Sequence, residues 1–407
     1  MNEFIKNCEY QLKDIFEELD ETAFFNQNKV LNSFQKNNVE LRHFYGSTGY
    51  GYDDIGKQTI CQVFANIFCA QKAIVSPCLT CGTHALFLAL SSVLRPGDLM
   101  LSISGQPYDT MVDCILGKQD ADIGSLKDYG VKYSQVDLKN DTLDEENILN
   151  SIKTLKPKLV YLQKSRGYSW RNPISVDIMQ NIFNKIKQIN KDIIIFVDNC
   201  YGEFVEKKEP SEVGADIVVG SLCKNPGGGI VANGAYILGT EKYITLIENR
   251  MTAPSIGSEV GSNELGYRLL YQGLFCAPSV VKNALKGSYL LGKVMENLGY
   301  QVMPSSNQKS FDIIKSIKFN TEDELIKFVQ LVQKLSPVDS NALPYPSEMP
   351  GYDNNIIMAA GTFVQGASIE MSCDSPIRKP YIAYFQGGLT YEHIKILAEE
   401  VYKIYNK

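Results

Sequence analysis

Four short stretches hold residues whose types and settings suit chemistry better than packing. Lys224 stands in GSLCKNPGGG (220–229), just past an apolar run and just before Pro and three glycines. A solvated surface lysine needs no such company. A lysine that reaches a fixed point in a closed site does, because burial lowers an ammonium's pKa and leaves a nucleophilic neutral amine. Ser221 and Gly227–Gly229 would let backbone and ligand approach closely. Asp198 ends the β-branched run DIIIFVD (192–198), where a carboxylate either caps the next element or holds a cation. CGTHA (81–85) opens the helical stretch THALFLALSSVL, whose unbonded first amides suit a phosphate; Gly82 and Thr83 would supply them, or form an ordinary cap. Tyr108 follows LMLSIS in GQPYDT (105–110) and offers a flat face to an aromatic ligand, or a wedge to the core.

Each signal is weak alone. Together they supply an anion cradle, a stacking face, a carboxylate to keep a pyridine nitrogen protonated, and a lysine for a Schiff base. Those are the needs of pyridoxal 5'-phosphate. A carboxylate about 4 Å from the ring's charge is worth about 4 kcal/mol at an effective dielectric near 20, about three decades in rate. An amino-acid substrate also brings a carboxylate, for which a bidentate arginine is the natural partner. Arg378 in SPIRKPYIAYF is the first candidate and Arg166 in KSRGYSW the second; Arg166 could instead bond the cofactor's phenolic oxygen, and either could be a surface ion pair.

Elements must place these residues. KLVYLQ (158–163), DIIIFVD and DIVVGSL (216–222) read as buried strands, and SVDIMQNIFNKIKQIN (175–190) has helical apolar spacing. Strand, helix and strand in succession predict an α/β fold with a mainly parallel sheet, whose functional residues sit at the strands' carboxyl ends. Residues 1–50 read as a helical arm and an irregular segment. Beyond about 265 the pattern is mostly helical, with an interruption or kink expected at Pro278. SIKF (316–319), TEDELIKFVQLVQKL (321–335) and SIEMS (368–372) then indicate a smaller α+β domain.

The 407 residues allow one large and one smaller domain. A net charge of −6 leaves no basic footprint for nucleic acid. No apolar run reaches the ~20 residues that span a bilayer, and the charged amphipathic start lacks a signal peptide's apolar core. The ten cysteines therefore read as reduced cytoplasmic thiols. Cys78 and Cys81 form one CxxC without the second pair that a structural zinc needs, so no metal is expected and both are read as small buried residues near a turn. The three histidines accompany no Ser or Cys nucleophile motif, which argues against hydrolysis; His84 is read as a helix-start residue with a satisfied ring.

The order glycine turn, tyrosine, VDN and S-x-x-K resembles the fold-type-I pyridoxal-phosphate enzymes of the cystathionine and methionine γ-lyase group. HFYGSTGYGYDDIGK, GTHAL, RGYSW, FVDNCYGEF, SLCKNPGGG, TAPSIGSEVG, MAAGTFVQGASIE and PYIAYFQGGLTYEH are similar to a methionine γ-lyase-like family known as carbon–sulfur lyases or aluminium-resistance proteins. The likeness runs from about residue 40 to 395. It implies a fold-type-I transferase fold with an N-terminal arm and inter-subunit loop (1–55), a large cofactor-binding domain (56–265) and a smaller C-terminal α+β domain (266–407). It implies Lys224 as the Schiff-base lysine, Asp198 as the partner of the ring nitrogen and Tyr108 as the stacked tyrosine. Gly82, Thr83 and Ser221 match phosphate binders, and Tyr52 matches a tyrosine that reaches the phosphate of a neighbouring subunit. A homodimer is then the minimum and a tetramer is suggested.

Three departures stand out. Cys223 replaces a Thr or Ser before the lysine, and Asp54 replaces an arginine two residues after the loop tyrosine, so that either Lys57 supplies that charge or nothing does. An insertion falls around GKQDADIGSLKDYG (117–130). The expected activity is elimination of a thiol from a sulfur amino acid. An aminotransferase, a desulfurase (with Cys373 or Cys78 as nucleophile) or an aldolase on the same fold, and a non-catalytic cofactor-binding stress protein, are the alternatives.

Overall fold

A computed structural model describes residues 3–119, 121–349 and 354–406. Two helices, α1 (Glu3–Gln11) and α2 (Lys13–Lys36), lead to a loop and α3 (Ile55–Ile67). The large domain follows as β1 (Lys72–Ser76), α4 (Gly82–Val93), β2 (Leu99–Ser102), α5 (Asp109–Leu116), β3 (Lys132–Gln135), α6 (Glu145–Leu155), β4 (Leu159–Gln163), α7 (Val176–Ile189), β5 (Ile194–Asp198), β6 (Ile217–Ser221), β7 (Ala235–Gly239) and α8 (Glu241–Met251). The long α9 (Arg268–Asn297) leads to β8 (Gln301–Met303), β9 (Ile314–Phe319), α10 (Glu322–Lys334), β10 (Ile356–Ala359), β11 (Ser372–Pro376), β12 (Tyr381–Gln386) and α11 (Tyr391–Tyr405).

The large sheet has the order β1-β7-β6-β5-β4-β2-β3. Strands β3, β2, β4, β5 and β6 run parallel, and β7 is antiparallel to both its neighbours. Every residue of β4, β5 and β6 is buried, as expected of strands covered on both faces. Ser175 starts α7 by accepting the Ile178 N–H on its side-chain oxygen, so the helix begins where the capping residue falls. The small sheet is antiparallel, in the order β10-β11-β12-β9-β8.

Two expectations are corrected. The helix α9 runs through Pro278, which is buried inside it. Residues 368–371 are not strand; β11 begins at Ser372. The segment 117–130, apart from residue 120, which lies outside the described residues, makes an irregular return from α5 to β3, with Leu126 buried against the α4 side of the sheet.

Helix α9 serves both cores. Leu270, Leu274, Ala277 and Val281 pack into the large-domain core, while Leu290, Leu291, Val294 and Met295 pack into the small-domain core. Ile5, Cys8 and Leu12 from the chain's start also belong to the small-domain core.

Candidate active site

The carboxyl ends of the parallel strands open into a cavity of about 660 Å³ between the large sheet and the small one. Four expected positions meet there: Lys224 in the turn after β6, Asp198 at the end of β5, Tyr108 at the start of α5, and Gly82 with Thr83 at the start of α4. Ser221, the last residue of β6, joins them.

The loop that carries Lys224 explains its glycines. A Cβ on Gly227 would meet the Leu222 carbonyl oxygen at 1.8 Å. Gly228 has φ +55°, and a Cβ there would lie 2.5 Å from the Gly273 carbonyl oxygen of α9. The glycines therefore let the lysine turn press onto α9, the close backbone approach expected of them.

Lys224 Nζ lies 4.1 Å from the centre of the Tyr201 ring, within reach of a cation–π contact. Burial alone would lower its pKa. The surrounding groups, Cys200, Tyr201 and Asp198, outweigh that and hold it well above the ordinary lysine value. This corrects the expectation of a neutral amine freed by burial: the groups around Lys224 favour its ammonium form. Burial pushes the Asp198 carboxyl up, while Lys224 and the Cys200 N–H pull it back. Asp198 Oδ1 accepts that N–H at 3.1 Å, and Oδ2 accepts the Tyr161 hydroxyl at 3.5 Å.

Tyr108 is half-buried, and its hydroxyl lies 2.8 Å from Thr83 Oγ1. Its backbone N–H donates to Gln163 Oε1 at 2.9 Å, which ties the start of α5 to the end of β4. Burial and the nearby Asp198 raise the phenol's pKa, so it keeps its proton at neutral pH.

Pyridoxal phosphate fits this arrangement. Among the described residues the backbone amides of Gly82 and Thr83 bond no backbone carbonyl, and they open a twelve-residue helix into the cavity. The positions of Gly82, Ser221 and Cys200 converge there: a Cβ on Gly82 would lie 3.5 Å from the Ser221 Cβ and 3.6 Å from Cys200 Sγ. Cys223 also faces the cavity, but its Sγ is bonded to the Ala232 carbonyl at 3.4 Å.

Two further expected residues, Arg166 and Arg378, also line the cavity, and others lie outside it. Arg166 is fully buried at the cavity wall, and its guanidinium closes on Asp312 (3.0 and 3.4 Å) and the Met303 carbonyl (2.6 Å). Its charge is thus already matched, unlike that of a residue waiting for a substrate carboxylate or a phenolic oxygen. Arg378 is exposed at the cavity mouth, on the small domain. Tyr52 is 63% exposed, stacked on Tyr50 at 5.4 Å, and outside the cavity of its own chain. Asp54 caps α3 by accepting the Lys57 N–H and also accepts the Tyr267 hydroxyl at 2.7 Å. Lys57 Nζ is bound to the Ser258 and Val260 carbonyls, so the charge expected of it goes to tethering a loop.

The cysteines also differ from expectation. Cys78 and Cys81 are exposed, and Cys81 Sγ caps α4 by accepting the His84 N–H at 3.4 Å. The His84 ring accepts the Thr80 N–H at 3.3 Å, as a helix-start residue should. Cys373 is buried in β11 with its thiol pKa pushed well up, which removes it as a mobile desulfurase nucleophile. No helix among the described residues is long and apolar enough to cross a membrane.

Sequence reasoning missed Tyr201, Gln163, Tyr168, Asp374 and Gln386, all of which line the cavity or brace a residue that does. Tyr201 and Gln163 had a signal, since Gln163 ends the buried β4 and Tyr201 lies in the turn just after the buried β5. Asp374 and Gln386 come together only through the pairing of the small sheet, and Tyr168 reaches them from the loop after β4.

The methionine gamma-lyase family model matches residues 1–405. A structure of a carbon–sulfur lyase involved in aluminium resistance from Clostridium novyi NT is 46% identical, covering 97% of this chain and 94% of that one with a TM-score of 0.93. An uncharacterised protein, YnbB of Bacillus subtilis (strain 168), is 43% identical over 387 residues, which are 95% of this chain and 92% of that one. At 16% identity, a methionine gamma lyase from Micromonospora echinospora shares the fold, with a TM-score of 0.59 over 87% of each chain.

Proposed function

The chain belongs to the methionine gamma-lyase family, whose members are pyridoxal-phosphate-dependent carbon–sulfur lyases, and from that premise we propose that it eliminates a thiol from the β-carbon of a sulfur amino acid. One observation carries the reading: Lys224, Asp198, Tyr108 and the start of α4 converge on one cavity.

Bound there, the cofactor would supply an aldehyde for the substrate amine and a ring that accepts electrons from Cα. Gly82, Thr83 and Ser221 would hold the phosphate. Asp198 would keep the ring nitrogen protonated. Lys224 would hold the aldehyde at rest and, once freed, take the proton from Cα. Tyr108 would offer its ring to the cofactor and, still carrying its proton at neutral pH, would give it to the departing sulfur. Arg378, with no ion-pair partner among the described residues, would take the substrate carboxylate at the cavity mouth. The products are pyruvate, ammonia and a thiol. Tyr52 belongs to this scheme only across a subunit boundary, so the enzyme works as a homodimer or a larger assembly.

The test incubates purified holoenzyme with cystathionine, cysteine and methionine, and measures pyruvate, 2-oxobutyrate and ammonia. Pyruvate with ammonia from cystathionine or cysteine is the expected result. Release of 2-oxobutyrate from methionine would move the reaction to the γ-carbon. Conversion of the cofactor to its amine form would make the enzyme an aminotransferase. No keto acid from any of the three would overturn the reading.

A further inference from the structure

The small sheet turns one face toward the cavity. Asp374 of β11 stands directly opposite Tyr384 of β12 in the antiparallel register, and Ile314 of β9 stands opposite Gln386 of β12. All four line the cavity. Tyr168, from the loop after β4, packs on Tyr384 with ring centres 5.1 Å apart. This wall is largely aromatic, with Ile314, Gln386 and one carboxylate set in it.

A carboxylate in such a wall costs free energy unless something there uses its charge. Asp374 accepts a hydrogen bond from Gln386 Nε2 at 3.1 Å and another from the Tyr168 side chain, both neutral donors. It makes no ion pair within 4 Å among the described residues, and the cation whose field reaches it is Lys224. Burial pushes its carboxyl up to about 6, so it is mostly ionised at neutral pH. Arg378, four residues on, lies at the mouth of the same cavity. The wall thus presents a cation and an anion at separate points, and an amino acid with a neutral side chain needs only the first.

We propose that Asp374 is a specificity-determining residue that binds a cationic group on the substrate's leaving side, so that the preferred substrate is a thioether amino acid whose sulfur carries an ammonium-bearing chain. The proposal rests on the carbon–sulfur lyase reading and names the substrate class for it. Gln386 and Tyr168 orient the carboxylate, and the aromatic wall carries the methylenes between sulfur and ammonium.

The test compares S-(2-aminoethyl)-L-cysteine with S-propyl-L-cysteine, which differ only by an ammonium in place of a methyl. Holoenzyme is assayed with each for pyruvate release and, separately, for binding by titration of the cofactor's absorbance. A charge-assisted hydrogen bond predicts a preference for the aminoethyl compound of about ten- to hundred-fold in kcat/KM and in Kd. In Asp374→Asn that ratio falls to near one, mostly through KM, and Asp374→Glu restores part of it. A wild-type ratio near one overturns the proposal, as does a ratio that survives Asp374→Asn or that collapses instead in Asp109→Asn, the other acid at this end of the cavity. If neither compound releases pyruvate, the lyase reading fails, and the binding ratio still decides the role of Asp374. If Asp374→Asn does not fold, the wild-type ratio and Asp374→Glu decide.

Discussion

Two side chains in the interior make opposite demands on the solvent. Lys224 is surrounded by acidic and phenolic groups that keep it charged until an aldehyde takes it. Replacing it with alanine should remove the long-wavelength absorbance of the reconstituted protein and abolish turnover, with the secondary structure unchanged by circular dichroism. Glu203, behind the site, has its carboxyl pushed up by burial to about 8. It accepts the Tyr236 hydroxyl at 2.7 Å on Oε1, and Oε2 has no partner. The folded chain therefore holds a proton that the unfolded chain releases near its ordinary value of 4.5. The stability this gives is complete below that value and is lost as pH rises toward 8, by up to about 1.4 kcal/mol per pH unit. Glu203→Gln keeps a neutral acceptor at all pH. Its melting temperature should rise relative to wild type between pH 6 and 8; a gap that stays flat across that range would refute the assignment.

At the scale of elements, the lysine turn and α9 form one joint. A Cβ on Gly273 would come within 2.3 Å of the Gly227 carbonyl oxygen. Gly273→Ala should push the helix from the turn, cost about 1–3 kcal/mol of stability and weaken cofactor retention, read as a lower melting temperature and faster loss of absorbance on dialysis. The same joint shows what could be read from sequence. Lys224, Asp198, Tyr108 and Gly82–Thr83 were legible because each sits at the end of a short strand or the start of a helix, where local pattern fixes both the element and the position. Asp374 was not legible, because its partners come from β12 and from a loop two hundred residues earlier. Arg166 was legible as a candidate for a carboxylate or a phenolic oxygen, but not as the partner of Asp312, 146 residues on. The rule that proline breaks helices misplaced an interruption at Pro278, where packing against two cores outweighs one lost hydrogen bond.

At the scale of the whole molecule, one copy leaves Tyr52 outside its own cavity. If a neighbour's phosphate uses it, Tyr52→Phe and Lys224→Ala are defects in different halves of a shared site. Each variant alone should have little activity. Unfolding and refolding the two together should recover about a quarter of the wild-type rate, because mixed dimers keep one intact site. No recovery, in a mixture shown by native mass spectrometry to contain the hybrid, would place Tyr52 outside the chemistry. The run of α9 through both hydrophobic interiors carries a thermodynamic consequence. The two lobes cannot melt independently, because whichever loses its packing first strips half of the other's longest helix. Scanning calorimetry should record a single endotherm, and a fragment ending at residue 265 should be degraded rather than accumulate as a folded half.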